Sequence, residues 1–147
     1  MEEKDIKKIL KIIIDKLENK KIIWRIEGSA NLKIQGIETS VSDLDITTDN
    51  KGIEIFREIL EKFIVKDFFS KKINGKSLIC DINNFEVEIN CYGDREKNFF
   101  DKIKTIEWDT LKVPILSLEY ALKFYKSIDR DEKIKLIQDY LTVNSSK

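Results

Sequence analysis

The stretch GSANLKIQGIETSVSDLDI, residues 28–46, carries the two features from which the rest of the chain is interpreted. A short segment rich in β-branched and aromatic residues ends at Gly28, and a helical pattern begins at Ser29. These two residues therefore mark a strand–helix junction. Asp43 and Asp45 lie in the next apolar segment. Because they are two residues apart, they project from the same face of the predicted strand.

The strand–helix junction is suited to binding phosphate, and the two aspartates of the strand are suited to binding the cation that accompanies it. Backbone N–H groups at the start of a helix bind phosphate, and a glycine lets the phosphate approach the main chain closely. The hydroxyl of Ser29 can add a hydrogen bond. Two carboxylates on one strand face are ligands for a hard cation such as Mg²⁺. Gly-Ser and Asp-x-Asp are each common in other contexts, so the prediction depends on their order and separation.

A β-hairpin is predicted further along the chain, over residues 77–82 and 85–91. The two asparagines between these strands suit a two-residue turn, because asparagine tolerates a positive φ angle. This turn places Cys80 and Cys91 on the same apolar face but several residues out of register. A disulfide needs Cα atoms within about 7 Å, so we interpret both cysteines as free thiols in the core.

The same hairpin register gives a candidate third carboxylate. Glu88 pairs with Ile79 in the middle of its strand and lies on the polar face. A mid-strand acid either faces solvent or belongs to a site, and alternation alone favours solvent. Glu88 becomes a site residue only if Asp43 and Asp45 need a third ligand. Glu86 is the alternative if the register slips.

Hydrophobic periodicity predicts the remaining elements. Helices are predicted over residues 2–19, 29–35, 52–63, from Ser117 onward, and 130–142. Strands are predicted over residues 21–28 and 43–48, and a second hairpin over 103–108 and 111–116. This order indicates an α/β or α+β domain with a mixed sheet. The last four residues, NSSK, are expected to fray.

The composition narrows the classes of function. Lys and Arg number 27 and Asp and Glu number 27, so the chain lacks the basic excess typical of nucleic-acid binding, although a local basic patch remains compatible. Histidine is absent, which excludes His-based triads and His metal ligands. The N-terminus is charged and no apolar run approaches the roughly 20 residues of a membrane span. We expect a cytoplasmic protein with no membrane partner.

Three segments together resemble the nucleotidyltransferase superfamily related to DNA polymerase β. They are GSANLKIQGIETSVSDLDI, FEVEIN and the closing LSLEYALKFYKSIDRDEKIKLIQDYL, and the resemblance covers roughly residues 22–142. It implies a mixed β-sheet of the nucleotidyltransferase fold, flanked by helices, with the C-terminal helices packed on the core. The chain would form a single domain, 1–147, with a catalytic sheet core at 22–116 and C-terminal helices at 117–142.

The resemblance also implies a reaction and its residues. Asp43, Asp45 and Glu88 would be the catalytic acids and would bind Mg²⁺ in a two-metal in-line displacement. An NMP group, AMP in the first instance, would pass from an NTP to a hydroxyl of a small molecule, protein or RNA, with release of pyrophosphate. The nucleotide-binding residues would be Gly28, Ser29, Lys123 and Lys133.

The chain departs from the family pattern in three places. The gap between Ser29 and Asp43 is longer than in the minimal members and is similar to the aminoglycoside- and lincosamide-modifying branch. The third acid is Glu88 rather than an aspartate, and no acid follows Lys133. Two alternatives stay open. One is an antitoxin-like or regulatory module that binds a protein partner or forms a homodimer, which the small size and the missing acceptor domain suggest. The other is a member that binds nucleotide without transferring it.

Overall fold

The structure, a computed structural model, describes residues 1–94 and 98–145. Within these residues there are five α-helices and seven β-strands. The helices are α1 Glu3–Lys16, α2 Gly28–Ile34, α3 Asn50–Ile59, α4 Leu118–Ser127 and α5 Asp131–Ser145. The strands are β1 Trp24–Glu27, β2 Leu44–Thr48, β3 Ile64–Ser70, β4 Gly75–Ile82, β5 Phe85–Asn90, β6 Ile103–Trp108 and β7 Leu111–Leu116. The predicted α+β class with a mixed sheet is confirmed.

The larger sheet has five strands in the order β1-β2-β5-β4-β3. Strands β2 and β5 run parallel, and the other neighbouring pairs are antiparallel. A parallel pair needs a long crossover connection, which here contains α3 and the strands β3 and β4. The parallel pairing matters for the site because it aligns the polar residues of β2 with those of β5.

The sequence analysis predicts no strand over Ile64–Ser70, and it is wrong there, because these residues form β3. The strand lies at the edge of the sheet, where both of its faces are largely open to solvent. Val65 and Phe69 are 70% and 61% exposed, and a register shift near the start of the strand interrupts the pairing. An edge strand of this kind has no buried face, so its sequence lacks the alternation by which strands are predicted.

The predicted hairpin of β4 and β5 is confirmed in turn and register. Asn83 and Asn84 both have positive φ angles, and Ile79 pairs with Glu88 as expected. Cys80 and Cys91 are buried and free, which also agrees with the prediction.

The larger sheet has one apolar and one polar face. The apolar face packs against α1 and α3, with a core that includes Ile9, Ile13, Ile46, Phe56 and Ile89. The register aligns one polar row of Glu27, Asp45 and Glu88 across β1, β2 and β5. It aligns a second row of Arg25, Thr47, Asn90 and Ser77. The polar face therefore holds the candidate site residues, and the apolar face packs into the hydrophobic core.

Helices α4 and α5 close the polar side of the molecule and share a second apolar cluster with α2. The predicted β6–β7 hairpin is present, and β7 packs beside β1. Ser117 is the N-cap residue of α4 as expected, but its hydroxyl makes no capping hydrogen bond. Helix α5 continues to Ser145, so the prediction that the tail frays is wrong for residues 144 and 145. The remainder of the NSSK tail lies outside the described residues.

None of the helices in the described part of the chain has the length and apolar character that crossing a membrane would require.

Candidate active site

The three predicted acids converge on the polar face of the larger sheet. Asp45 is in β2 and lies opposite Glu88 of β5 in the parallel register. Asp43 immediately precedes β2 and approaches from the same side. Each residue offers one carboxylate oxygen, and these three oxygens lie within 4.8 Å of one another. All three side chains are half-buried, so the cluster is sheltered but open to a ligand.

Burial and mutual repulsion make it costly to ionise all three acids at once. Burial, followed by the charges of Asp43, Glu88 and Glu27, raises the pKa of Asp45 from 3.8 to about 7, and Lys133 opposes the rise. Burial also raises the pKa of Glu86, which lies next to Asp43 on the exposed side of the cluster. A divalent cation would remove this repulsion, because an all-oxygen ligand set is the kind that Mg²⁺ prefers.

Gly28 is required where β1 meets α2. Its φ angle is +72°, and a Cβ atom at this position would lie 2.6 Å from Oδ2 of Asp45. The main-chain N–H of Gly28 donates a hydrogen bond of 2.8 Å to the hydroxyl of Tyr125 in α4. The absence of a side chain at Gly28 therefore leaves room for the Asp45 carboxylate. The N–H of Gly28 is bound by Tyr125 of α4.

Ser29 is in direct contact with the C-terminal helices. The ammonium group of Lys133, in α5, donates a hydrogen bond to the Ser29 hydroxyl. Burial, followed by the charge of Arg130, lowers the pKa of Lys133, while nearby acids including Asp45 raise it. The structure therefore brings Lys133 to the strand–helix junction that the sequence predicts to bind phosphate.

Lys123 is not brought to the same place. It is exposed on α4, and its ammonium group lies 4.9 Å from the ring centre of Tyr120. It is not among the residues that line the cavity beside the acids. Its role in nucleotide binding stays a prediction that this placement does not support.

A cavity of about 720 Å³ opens beside the three acids. Its floor is the polar face of the sheet, and its walls are the β3–β4 connection and the junction of α4 with α5. The lining includes Ser29, Lys72, Asn74, Tyr92, Arg130 and Lys133. The cavity is large enough for a nucleotide or a small organic acceptor beside the carboxylates.

The sequence interpretation missed a buried ion pair beneath this cavity. Arg25 Nε donates a hydrogen bond of 2.6 Å to Oε2 of Glu27, and the Thr47 hydroxyl donates one of 3.2 Å to the same oxygen. Arg25 and Glu27 are 0% and 4% exposed. The available signal was their spacing: two charges alternate with Trp24 and Ile26 in an otherwise apolar strand, as Asp43 and Asp45 do in the next strand.

Comparison with known proteins identifies the class. Gly-Ser at the β1–α2 junction and three converging acids on a mixed sheet define a nucleotidyltransferase, an enzyme class that the sequence predicted. A family model described as aminoglycoside-2''-adenylyltransferase matches residues 9–138, and the chain belongs to this family. No curated protein sequence matches the chain.

Solved structures agree with this assignment. A candidate nucleotidyltransferase from Thermotoga maritima is 26% identical, with a TM-score of 0.76 over 97% of this chain and 96% of that one. ANT(2'')-Ia, solved with adenylyl-2''-tobramycin, is 10% identical, with a TM-score of 0.62 over 94% of this chain and 90% of its own. The lincosamide antibiotic adenylyltransferase LnuA, solved with lincomycin, is 15% identical, with a TM-score of 0.60 over 89% of this chain and 95% of its own. At these lower identities the last two share the fold.

Proposed function

We propose that the chain transfers a nucleoside monophosphate group, AMP in the first instance, from an NTP to a hydroxyl of an acceptor held in the cavity. The observation that carries the proposal is the convergence of Asp43, Asp45 and Glu88 within 4.8 Å. Three acids this close, two of them on paired strands, repel one another when ionised, and a bound cation would offset that repulsion.

The cation that this set fits is Mg²⁺. Asp43, Asp45 and Glu88 would hold it, because hard divalent cations take carboxylate oxygens and retain positions for phosphate oxygens. When bound, the cation neutralises phosphate charge and aligns the triphosphate. The raised pKa of Asp45 is a further reason to expect that the site binds a cation strongly.

The phosphates would lie between the junction and α5. Ser29 offers a hydroxyl and Lys133 an ammonium group at the same point. An incoming phosphate would take over both hydrogen-bond donors in place of their mutual contact. Gly28 contributes chiefly by keeping the backbone close and clear of Asp45. Lys133 would thus neutralise part of the negative charge of the phosphates.

The reaction that this arrangement supports is an in-line displacement. The acceptor hydroxyl oxygen attacks the α-phosphorus and forms a new P–O bond. The bond from the α-phosphorus to the bridging oxygen of the β-phosphate breaks, and pyrophosphate leaves with that electron pair. The proton of the hydroxyl passes to a carboxylate, for which Glu88 is our candidate. Positioning and charge neutralisation supply most of the rate gain.

A small hydroxyl-bearing molecule is the acceptor that we propose. ANT(2'')-Ia and LnuA, which share the fold, were solved with an adenylylated aminoglycoside and with a lincosamide. The cavity of about 720 Å³ has room for part of such a molecule. Asp129 also lines it, in addition to the three acids, which favours an acceptor that carries positive charge.

The proposal is tested with ATP labelled on the α-phosphate. The purified protein is incubated with Mg²⁺ and, separately, tobramycin, lincomycin and a cell extract, and labelled products are resolved by chromatography. We expect a labelled adduct, and a loss of at least about 100-fold in Asp45→Asn. Glu58→Gln is the matched control, because Glu58 is exposed on α3, which packs on the opposite face of the sheet.

Two results would count against transfer. Equal labelling by wild type and Asp45→Asn would remove the assigned role of the acids. Calorimetric binding of a non-hydrolysable ATP analogue, with no transfer to any acceptor, would instead leave a nucleotide-binding protein without transferase activity.

A further inference from the structure

Asn90 is a polar residue of the cavity that the proposed reaction leaves without a role. It is the last residue of β5, two residues after Glu88, and therefore projects from the same face of that strand. The side chain is half-buried and lines the cavity. An amide on the floor of the cavity is placed to contact a substrate.

A cross-strand hydrogen bond fixes the orientation of this amide. Ser77 of β4 pairs directly with Asn90 in the antiparallel register, and its hydroxyl donates a hydrogen bond of 2.6 Å to Oδ1 of Asn90. Ser77 itself is buried. Because the oxygen side of the amide is turned towards Ser77, the nitrogen side is turned away from β4.

The amide nitrogen, Nδ2, is a free hydrogen-bond donor. It carries two N–H groups, and none of residues 1–94 and 98–145 accepts a hydrogen bond from them. Nδ2 is not one of the side-chain atoms of these residues that are buried without a partner. Its N–H groups are therefore accessible from the cavity, where an oxygen of a substrate can accept a hydrogen bond from them.

The strand register places Asn90 and the β1–α2 junction on opposite sides of the acids. Strand β1 runs antiparallel to β2 and ends opposite Asp45, so the junction lies towards the N-terminal end of β2. Asn90 pairs with Thr47, two residues after Asp45, and so lies towards the other end. At about 3.3 Å per residue, Asn90 is about 6.6 Å along β5 from Glu88.

The geometry of an in-line displacement determines which substrate lies on the Asn90 side. The attacking and leaving oxygens lie on opposite sides of the α-phosphorus. In the proposed function the leaving pyrophosphate lies at Ser29 and Lys133, so the acceptor approaches from the opposite side of the acids. Asn90 lies on that side, next to Glu88, our candidate for taking the proton of the acceptor hydroxyl.

We propose that Asn90 is a specificity-determining residue that binds the acceptor, by donating a hydrogen bond from Nδ2 to an oxygen beside the reacting hydroxyl. The inference rests on the proposed function, because the position of the pyrophosphate defines the acceptor side. Ser77 is the positioning residue that orients the amide. A molecule that contacts both Glu88 and Asn90 needs two neighbouring oxygens, so the acceptor class narrows to small molecules with several hydroxyl groups, such as sugars.

Steady-state kinetics with labelled ATP, Mg²⁺ and either tobramycin or lincomycin test the inference, because the KM values of ATP and of the acceptor are measured separately. Asn90→Ala should raise the KM of the acceptor about tenfold and leave the KM of ATP within about twofold, since one neutral hydrogen bond is lost on the acceptor side. Ser77→Ala keeps the amide but frees its orientation, and should raise the KM of the acceptor about threefold. Asn144→Ala is the matched control, because Asn144 is exposed near the end of α5 and does not line the cavity. It should change neither KM.

The outcomes separate this inference from the proposed function. If Asn90→Ala raises both KM values equally, raises that of ATP alone or changes neither, the role of Asn90 is overturned and the transfer reaction stands. A wild-type protein that binds a non-hydrolysable ATP analogue but labels neither tobramycin nor lincomycin would overturn the acceptor side and leave the nucleotide site. If Asn90→Ala does not fold, the double variant Ser77→Ala/Asn90→Ala removes both partners of the hydrogen bond, so that no buried hydroxyl is left unpaired. It should give the same tenfold rise, and an unchanged KM of the acceptor in this variant would contradict the inference.

Discussion

At the scale of single residues, the site depends on contacts that leave little space. Oδ2 of Asp45 occupies the volume that any side chain at position 28 would need. The hydroxyl of Ser29 is bound by Lys133, and the N–H of Gly28 is bound by Tyr125. Each residue of the junction therefore acts through a partner from another element, and single substitutions should have specific effects.

Gly28→Ala should reduce transfer activity by about 100-fold or more, because a Cβ atom 2.6 Å from Oδ2 of Asp45 must displace that carboxylate. The positive φ angle adds strain of about 1–3 kcal/mol. Gly36→Ala is the matched control, since Gly36 also has a positive φ angle but its Cβ would meet the Tyr140 hydroxyl. Both variants should lose stability in urea unfolding, and only Gly28→Ala should lose Mn²⁺ affinity. Unchanged Mn²⁺ binding in Gly28→Ala would contradict this.

The pKa of Asp45 predicts how the metal-free protein responds to pH. Because its pKa is about 7 in the folded state and near 3.8 when unfolded, the unfolded chain releases this proton first. The free energy of unfolding should therefore fall as the pH rises from about 4 to 7 and stay level above that.

Asp45→Asn removes this ionisation and should be the more stable protein in chelator at pH 8, by on the order of 4 kcal/mol. The difference should vanish below about pH 3, where the carboxyl is largely neutral in both states. Urea unfolding at several pH values measures it. A difference that is independent of pH would show that repulsion at Asp45 is not its cause.

At the scale of elements, the sequence predicts those parts whose pattern is local. The two asparagines determine the β4–β5 turn and the register that pairs Glu88 with Ile79. The pairing of Glu88 with Asp45 belongs to the parallel β2–β5 register, which becomes known only from the fold. Strand β3 was not predicted because it lies at an edge and has no buried face. The Arg25–Glu27 pair was not assigned to the site because partners on other strands, such as Thr47, become known only from the sheet pairing.

The contact between α4 and the junction predicts a stability effect. Tyr125→Phe leaves the buried N–H of Gly28 without its acceptor, which should cost about 1–3 kcal/mol in urea unfolding. Tyr140→Phe serves as the control, since its hydroxyl makes only a long contact of 3.5 Å to the carbonyl of Gln35. Its cost should be the smaller of the two. An equal cost for both variants would contradict a specific role for Tyr125.

At the scale of the whole molecule, the two apolar clusters enclose a polar layer. One cluster supports the sheet from below, and the other holds α4 and α5 above it, so that the acids lie between them. The cation should therefore stabilise the complete fold. At 100 times its dissociation constant, Mg²⁺ should add about 2.7 kcal/mol to the free energy of unfolding. Asp43→Asn should lose most of this gain, and Glu58→Gln should keep it.

The central claim is that Asp43, Asp45 and Glu88 bind the cation that holds the triphosphate. Anomalous diffraction from crystals grown with Mn²⁺ and a non-hydrolysable ATP analogue tests it most directly. We predict a manganese peak at coordination distance from all three carboxylates and from phosphate oxygens, with Lys133 and Ser29 against the triphosphate. A nucleotide bound elsewhere, or one bound in the cavity with no metal at these acids, would contradict the account.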